Sequence, residues 1–278
     1  MAVKEDNRDY FLGHSDPEIK RLARQNAFYG DTTETLLRSA GLAPGMRVLD
    51  IGCGGGDVSL LAAELVGPSG FVLGIDRTEE AIGAARRRAK AEGARHVRFA
   101  VTELEAFSAD APFDALIGRF VLMYLPDPAA TLRLLIRHLR PDGIVAFQEM
   151  DMRTARSQPL APLFQRCADL HATAIECGGF ETGMGSKLFA TFQDAGLPPP
   201  RVIVGSRGEG GPDSPGYELM AANVRSALPM LERHKVTTAA EIGIETLADR
   251  LRAEALDGAK WLMFPLLVGA WARVSAVV

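Results

Sequence analysis

The feature that most limits what this chain can fold into is the run Val48-Leu49-Asp50-Ile51-Gly52-Cys53-Gly54-Gly55-Gly56-Asp57. An apolar strand passes into a helix through a turn that is almost all glycine. Glycine permits the tight turn and lets a ligand lie against bare backbone, while free N–H groups at the helix start face that ligand. Asp76 stands twenty residues beyond Gly56, at the end of the next apolar stretch. A carboxylate there is placed to accept hydrogen bonds from the hydroxyls of a ribose.

The rest of the first half repeats the same rhythm. Strands are expected at Val48–Ile51, Phe71–Ile75, Val97–Val101, Ala115–Val121 and Ile144–Phe147, with helices at Asp57–Val66, Glu79–Glu92 and Pro128–Leu139 between them. Gly67-Pro68-Ser69-Gly70 and Arg140-Pro141-Asp142-Gly143 supply turns where the alternation needs them. This order predicts a parallel sheet with helices on both faces. Upstream, Ser15-Asp16-Pro17-Glu18 reads as a capping box opening a helix to Tyr29, and Asp31 with Glu34 as the start of a second one ending at Gly41. After Glu149 the rhythm breaks. Helices are expected at Leu160–Cys177, Ser186–Ala195, Tyr217–Leu231 and Ile244–Leu256, with strands at Arg201–Val204 and Trp261–Val274, the latter bent at Pro265.

A dinucleotide loop, G-x-G-x-x-G/A, is the first competitor for the glycine turn. Counted from Gly52, its last place falls on Asp57, whose carboxylate would repel a pyrophosphate at the helix start. A nicotinamide or flavin enzyme, and a glycine-rich turn with no ligand, remain as alternatives. The Asp50-x-Gly52-x-Gly54-x-Gly56 pattern resembles the first motif of class I methyltransferases that use S-adenosyl-L-methionine. That cofactor carries no phosphate there, and its ammonium and sulfonium suit acidic neighbours such as Asp50 and Asp57. Thr102-Glu103-Leu104 resembles the adenine-contacting segment of the family, with a solvated loop residue as the alternative reading of Glu103. Phe113-Asp114-Ala115-Leu116-Ile117-Gly118-Arg119-Phe120 resembles its fourth-strand motif, and Pro126-Asp127-Pro128 and Leu139-Arg140-Pro141-Asp142-Gly143 its later turns. The resemblance covers about 47–148 and is nearest to the ubiquinone/menaquinone-like "type 11" small-molecule group.

It implies an α/β Rossmann-like fold, with a seven-stranded mostly parallel sheet, N-terminal helices over 1–45, a cofactor-binding core over 46–150, and the last strands of the core over 151–278 with helical substrate-lid insertions about 151–185 and 208–258. It also implies a cofactor site formed by Asp50, Gly52, Gly54, Asp76, Arg77, Thr102, Glu103, Leu104 and Arg119. Tyr10-Phe11-Leu12-Gly13-His14-Ser15 and Arg21-Leu22-Ala23-Arg24-Gln25 resemble the helix that closes over the cofactor in bacterial members, which adds Tyr10 and Gln25 as contacts.

Departures from related families exclude other chemistry. Amino-methyltransferases of DNA bases need Asp/Asn-Pro-Pro-Tyr/Phe where this chain has Gly118-Arg119-Phe120. Magnesium-dependent catechol methyltransferases need a carboxylate where Arg119 stands, so no metal is expected. Arg86-Arg87-Arg88 lies mid-helix among Glu79, Glu80 and Glu92 and reads as a solvated face, not a nucleic-acid patch. The formal net charge of −4 gives no electrostatic reason for nucleic acid or an anionic membrane as partner. Cys53, Cys167 and Cys177 show neither zinc nor disulfide spacing. No signal peptide or spanning run is read, so the expected setting is cytoplasmic, with a small-molecule substrate and a homodimer allowed but not specified.

Catalysis by methyl transfer asks mainly for alignment, plus removal of a proton where the acceptor needs it. Glu149, at the end of the fifth strand, is the first candidate base and His171, on the inserted helix, the second; a salt bridge or cap for the former and a structural histidine for the latter are the plain alternatives. Tyr124 could orient a ligand or simply pack. Phe164, Met184, Tyr217, Leu219, Met220, Leu228 and Met230 in the insertions suit an apolar or aromatic acceptor, or equally a seam between lid and core. The expected activity is therefore methyl transfer to O, N or C of a small metabolite. Alternatives are a related fold that binds the cofactor but catalyses another reaction such as cyclisation, and a non-catalytic cofactor-binding protein.

Overall fold

The computed structural model describes residues 16–275. It opens on one helix, α1 (Asp16–Ala40), where the capping signals predict two. The stripe Tyr29, Thr33, Leu36, Leu37 and Ala40 is buried at helical spacing across Gly30, and this burial outweighs the roughly 1 kcal/mol that a mid-helix glycine costs. Asp31 lies within the helix, accepting from the next amide, that of Thr32 (2.8 Å), and facing Arg207 at 4.0 Å, so it starts no second helix. The expected stop at Gly41 holds, with φ +97° just past the last turn.

Then follow β1 (Arg47–Ile51), α2 (Asp57–Val66), β2 (Phe71–Asp76), α3 (Glu79–Ala91), β3 (Val97–Val101), β4 (Phe113–Arg119), α4 (Pro128–Leu135) and β5 (Leu139–Asp151). Asp127 caps α4 by accepting from Ala130 N–H at 2.8 Å. The turn expected at Arg140–Gly143 is instead a bulge within β5, because the register jumps from Phe113↔Leu139 to Ala115↔Ile144, with Asp142 at φ +62°. The second half supplies β6 (Arg156–Gln158), α5 (Pro162–Cys177), α6 (Met184–Asp194), β7 (Arg201–Gly205), β8 (Gly208–Glu209), α7 (Gly216–Arg233), α8 (Ala239–Ile242), α9 (Leu247–Leu256), β9 (Trp261–Met263) and β10 (Leu266–Arg273).

The main sheet has seven strands, as expected, and their order is β3-β2-β1-β4-β5-β10-β7. Pairs among β1 to β5 are parallel, and β10 runs antiparallel to both β5 and β7. The strand expected at Trp261–Val274 is broken at Phe264-Pro265. Its first part joins a three-stranded sheet, β6-β9-β8, whose strands of two and three residues are too short to show alternation in sequence.

Apolar side chains gather in three groups. One lies between the sheet and α1, α2 and α3, a second between the opposite face and α4 and α6. The third joins α5, α7 and α9 to Phe28 and Tyr29 of α1, with Phe264 packed on Phe28 and Phe164 at 4.6 and 5.4 Å between centroids. Each such buried side chain is worth about 1.5–3 kcal/mol, so the later helices are fastened to α1 as firmly as a core. The strand order reverses between β1 and β4, and that crevice, at the carboxyl ends of the strands, is where α/β sheets take ligands.

Candidate active site

A cavity of about 450 Å³ opens at that crevice, a size typical of small-molecule sites. The glycine turn after β1, the end of β2 and the segment after β3 form one side; α1, the turn after β4 and α5 form the other. Of the residues expected at the site, Gln25, Asp50, Gly52, Gly54, Asp76, Arg77, Thr102, Glu103, Leu104, Arg119 and His171 all line it. Tyr10 lies outside the described residues. Glu149 does not line it.

Gly52 sits at φ +59°, and a Cβ there would stand 2.5 Å from Val121 Cγ2, so no other residue fits. Gly54 is at φ +51° with nothing within 4 Å of a Cβ position, leaving open space on the cavity side. Its N–H donates to Asp76 Oδ2 at 3.0 Å. Asp76 Oδ1 accepts from Thr78 N–H and Oγ1–H at 3.1 and 3.0 Å. Three donors leave one of a carboxylate's roughly four acceptor sites, on Oδ2, for a ligand.

Asp50 is buried, accepts from Ser59 Oγ–H at 2.6 Å, and has its pKa raised to about 7, first by burial and further by the charges of Asp76 and Asp57. Burial and the same carboxylates push the Cys53 thiol up, so it is no nucleophile. Asp57, at the first position of α2, is paired with Arg88 at 2.5 Å, and Arg88 also donates to Gly55 O at 2.9 Å. The arginine run on α3 is thus not simply a solvated face: Arg88 pins the glycine turn and Arg86 donates to Phe99 O at 2.9 Å.

Arg119 projects from the end of β4 toward α1, where it donates to Thr33 Oγ1 (2.9 Å) and Asn26 Oδ1 (3.1 Å). Thr33 Oγ1 in turn donates to Gln148 Oε1 at 2.7 Å, which ties α1 to β5. No carboxylate of the described residues lies within ion-pair distance of Arg119, and burial lowers its pKa. A guanidinium held by neutral acceptors in such a place is a ready partner for an anionic group.

His171 faces the cavity from α5 beside Ile175. Burial, and secondarily the Arg21 cation, push its pKa down to about 3, so at neutral pH the imidazole is uncharged. Arg21 is fixed by Gln25 Oε1 (2.7 Å) and by Asn223 Oδ1 of α7 (3.0 Å). Glu149 is placed otherwise than a base requires. It is fully buried, and its Oε1 accepts from Val121 and Leu122 N–H at 2.9 and 2.7 Å. Glu149 follows Gln148 on β5, so the two side chains leave opposite faces of the sheet, and Glu149 turns under the β4 exit turn.

Sequence reasoning missed Asn26, Thr33, Asn223 and Phe180. Phe180 lines the cavity and stacks edge-on against Tyr124 at 5.0 Å. These residues come from α1, α7 and the loop after α5, and no local pattern marks them. Among the described residues no three His, Cys, Asp or Glu stand together as a metal site, and no helix is long and apolar enough to cross a membrane.

Fold and cavity together define an α/β protein that holds a nucleoside-bearing ligand at the carboxyl edge of a parallel sheet. The chain belongs to the methyltransferase-domain family, whose model it matches over residues 42–195, and S-adenosyl-L-methionine is the cofactor of that class I fold. It is 33% identical over 145 residues to trans-aconitate 2-methyltransferase of Azoarcus sp., covering 50% of this chain and 54% of that protein. It is 38% identical over 116 residues to a ubiquinone biosynthesis O-methyltransferase of Aromatoleum aromaticum, covering 41% and 47%. The chain spans about half the length of these curated relatives. The crystal structure of a SAM-dependent methyltransferase from Aquifex aeolicus superposes with a TM-score of 0.52 at 19% identity, over 94% of this chain and 99% of that one. At that identity the likeness is one of fold. The lining suits the chemistry of that cofactor: open space at Gly54 beside Asp76, the carboxylates of Asp50 and Asp57, which can face cationic groups, and Arg119, which can meet an anionic one.

Proposed function

We propose that the protein transfers a methyl group from S-adenosyl-L-methionine to a small organic acceptor. The observation that carries this reading is that the glycine turn, Asp76 and the 102–104 segment open into the same cavity as His171 and an apolar wall, so cofactor and acceptor share one chamber. Bound there, the cofactor supplies an electrophilic methyl on sulfonium. Asp76 would take the ribose, Glu103 and Leu104 the adenine edge, and Arg119 the amino-acid carboxylate. Asp50 would face the ammonium.

The acceptor side is contributed by Phe120, Met123, Met150, Met152, Ile175 and Phe180. Such a wall supports an acceptor with an apolar body. His171 is the group we read as contacting its reacting atom: neutral at working pH, it offers a hydrogen bond that can orient the acceptor. A base this weak suits an acceptor already ionised at neutral pH, such as a carboxylate or an acidic enol, better than a phenol or an ammonium that must first lose a proton. The insertions 151–185 and 208–258 supply α5 and α7, and we read them as the cover that excludes water and aligns the acceptor. The Arg119 position supports a reaction that needs no metal.

The test is transfer itself. Methyl-labelled cofactor is incubated with a panel of phenols, enols, carboxylic acids and amines of matched size. Label appearing in an acidic acceptor, with stoichiometric S-adenosylhomocysteine, supports the reading; label in amines alone would overturn the choice of acceptor. Consumption of an acceptor without S-adenosylhomocysteine would favour a non-methylating reaction such as cyclisation.

A further inference from the structure

The turn after β4 is an unusual piece of backbone. Phe120 stands at φ +56°, a left-handed region that a bulky residue enters only under strain. A short 3-10 turn, Leu122–Tyr124, follows at once. Phe120, Val121, Met123, Tyr124 and Leu125 all line the cavity. The first N–H groups of such a turn have no partner within it. Here Glu149 meets them: one carboxyl oxygen accepts from both Val121 and Leu122. The other oxygen, Oε2, is buried with no hydrogen-bond partner among the described residues.

Val121 carries the effect onward. Its side chain fills the space that glycine leaves at two places. A Cβ at Gly52 would stand 2.5 Å from its Cγ2, and one at Gly118 2.9 Å from its Cγ1. Val121 is thus wedged between the glycine turn after β1 and the end of β4. We propose that Glu149 is a positioning residue: by clasping Val121 and Leu122 it presses Val121 against Gly52 and holds the glycine turn in the shape that receives the cofactor. The proposal rests on the cavity being the cofactor site. It also accounts for an acidic side chain at a buried place off the cavity wall. What the turn needs is one acceptor oxygen at the right reach, and the second oxygen is left idle.

The experiment uses S-adenosylhomocysteine as probe, with titration calorimetry and amide hydrogen exchange on the full chain. In wild type the Val121 and Leu122 amides exchange slowly. Glu149→Gln keeps the acceptor oxygen and should keep both the protection and the affinity. Glu149→Met keeps the length but not the acceptor; both amides should exchange fast, and affinity should fall by at least about tenfold. Val121→Ala keeps the clasp and removes the wedge, so it should lose comparable affinity with the amides still protected. A purely structural role would lower the melting temperature of Glu149→Met and leave the affinity of the folded fraction untouched, which overturns the proposal. Should Glu149→Met fail to fold, Val121→Ala decides: wild-type affinity there overturns the proposal equally. Absence of probe binding by wild type would overturn the cofactor reading and this proposal with it, whereas a binding wild type with unaffected variants overturns the proposal alone.

Discussion

Gly54 donates its backbone N–H to Asp76 Oδ2 at 3.0 Å, so the turn after β1 and the end of β2 are joined at the point where a ribose would lie. One carboxylate therefore has two tasks. It shapes the turn, and it keeps an acceptor site toward the cavity.

Asp76→Ala removes both. Affinity for S-adenosylhomocysteine should fall by about 1–3 kcal/mol, the usual loss for a charged hydrogen bond. Asp76→Asn keeps an acceptor for Gly54 and should lie between the two. Calorimetric titration of the three proteins checks the order; equal affinities would mean that the ribose lies elsewhere.

Arg119→Gln should weaken binding of the cofactor product about tenfold or more, because the amide cannot neutralise a carboxylate. The same variant should bind decarboxylated S-adenosylhomocysteine as wild type does. If both ligands suffer alike, Arg119 acts only through Thr33 and Asn26 on the seating of α1.

His171→Ala should lower kcat with little change in the KM for the cofactor. A modest loss fits a hydrogen bond that aligns the acceptor, whereas about 10²–10⁴-fold would mark His171 as the proton acceptor. If kcat is unchanged, the reaction proceeds by alignment alone on an acceptor already ionised.

Stability should depend on pH in two opposite ways. Burial raises Glu149 from 4.5 to about 8. Between those values the folded chain holds a proton that the unfolded chain has released, so stability falls as pH rises through the window. His171 is lowered from 6.5 to about 3. Across that window the unfolded chain takes up a proton that the folded chain refuses, so stability falls as pH drops. Melting temperatures of Glu149→Gln should therefore exceed those of wild type by more at pH 8.5 than at pH 5, and His171→Gln should resist acid better. A constant difference across pH for either variant would contradict the assigned cause.

The cofactor half of the site was legible in sequence because it is local. Gly52, Gly54 and Asp76 belong to one strand-helix-strand unit, and their spacing carries the geometry. Residues 102–104 follow the next strand for the same reason. On the acceptor side only His171 and Tyr124 were legible among the residues that line the cavity. Asn223 reaches Arg21 from 202 positions away, and nothing in α7 marks it. Glu149 was found at the right strand end, but its carboxyl is taken up by the Val121 and Leu122 amides, and the strand reaches the cavity through Met150 instead. The single helix α1 was hidden by Gly30 and Asp31, whose local preference yields to the burial of Tyr29, Thr33 and Leu36. The small sheet β6-β9-β8 rests on pairing of β9 with one segment about a hundred residues away and another about fifty away, each too short for a period to show.

The most direct measurement is titration of the wild-type chain with S-adenosylhomocysteine and with NAD, in the same buffer with a chelator present. One-to-one binding of S-adenosylhomocysteine in the micromolar range, with no heat from NAD, is the expected result. Saturable binding of NAD with no response to S-adenosylhomocysteine would contradict the assignment of the cavity.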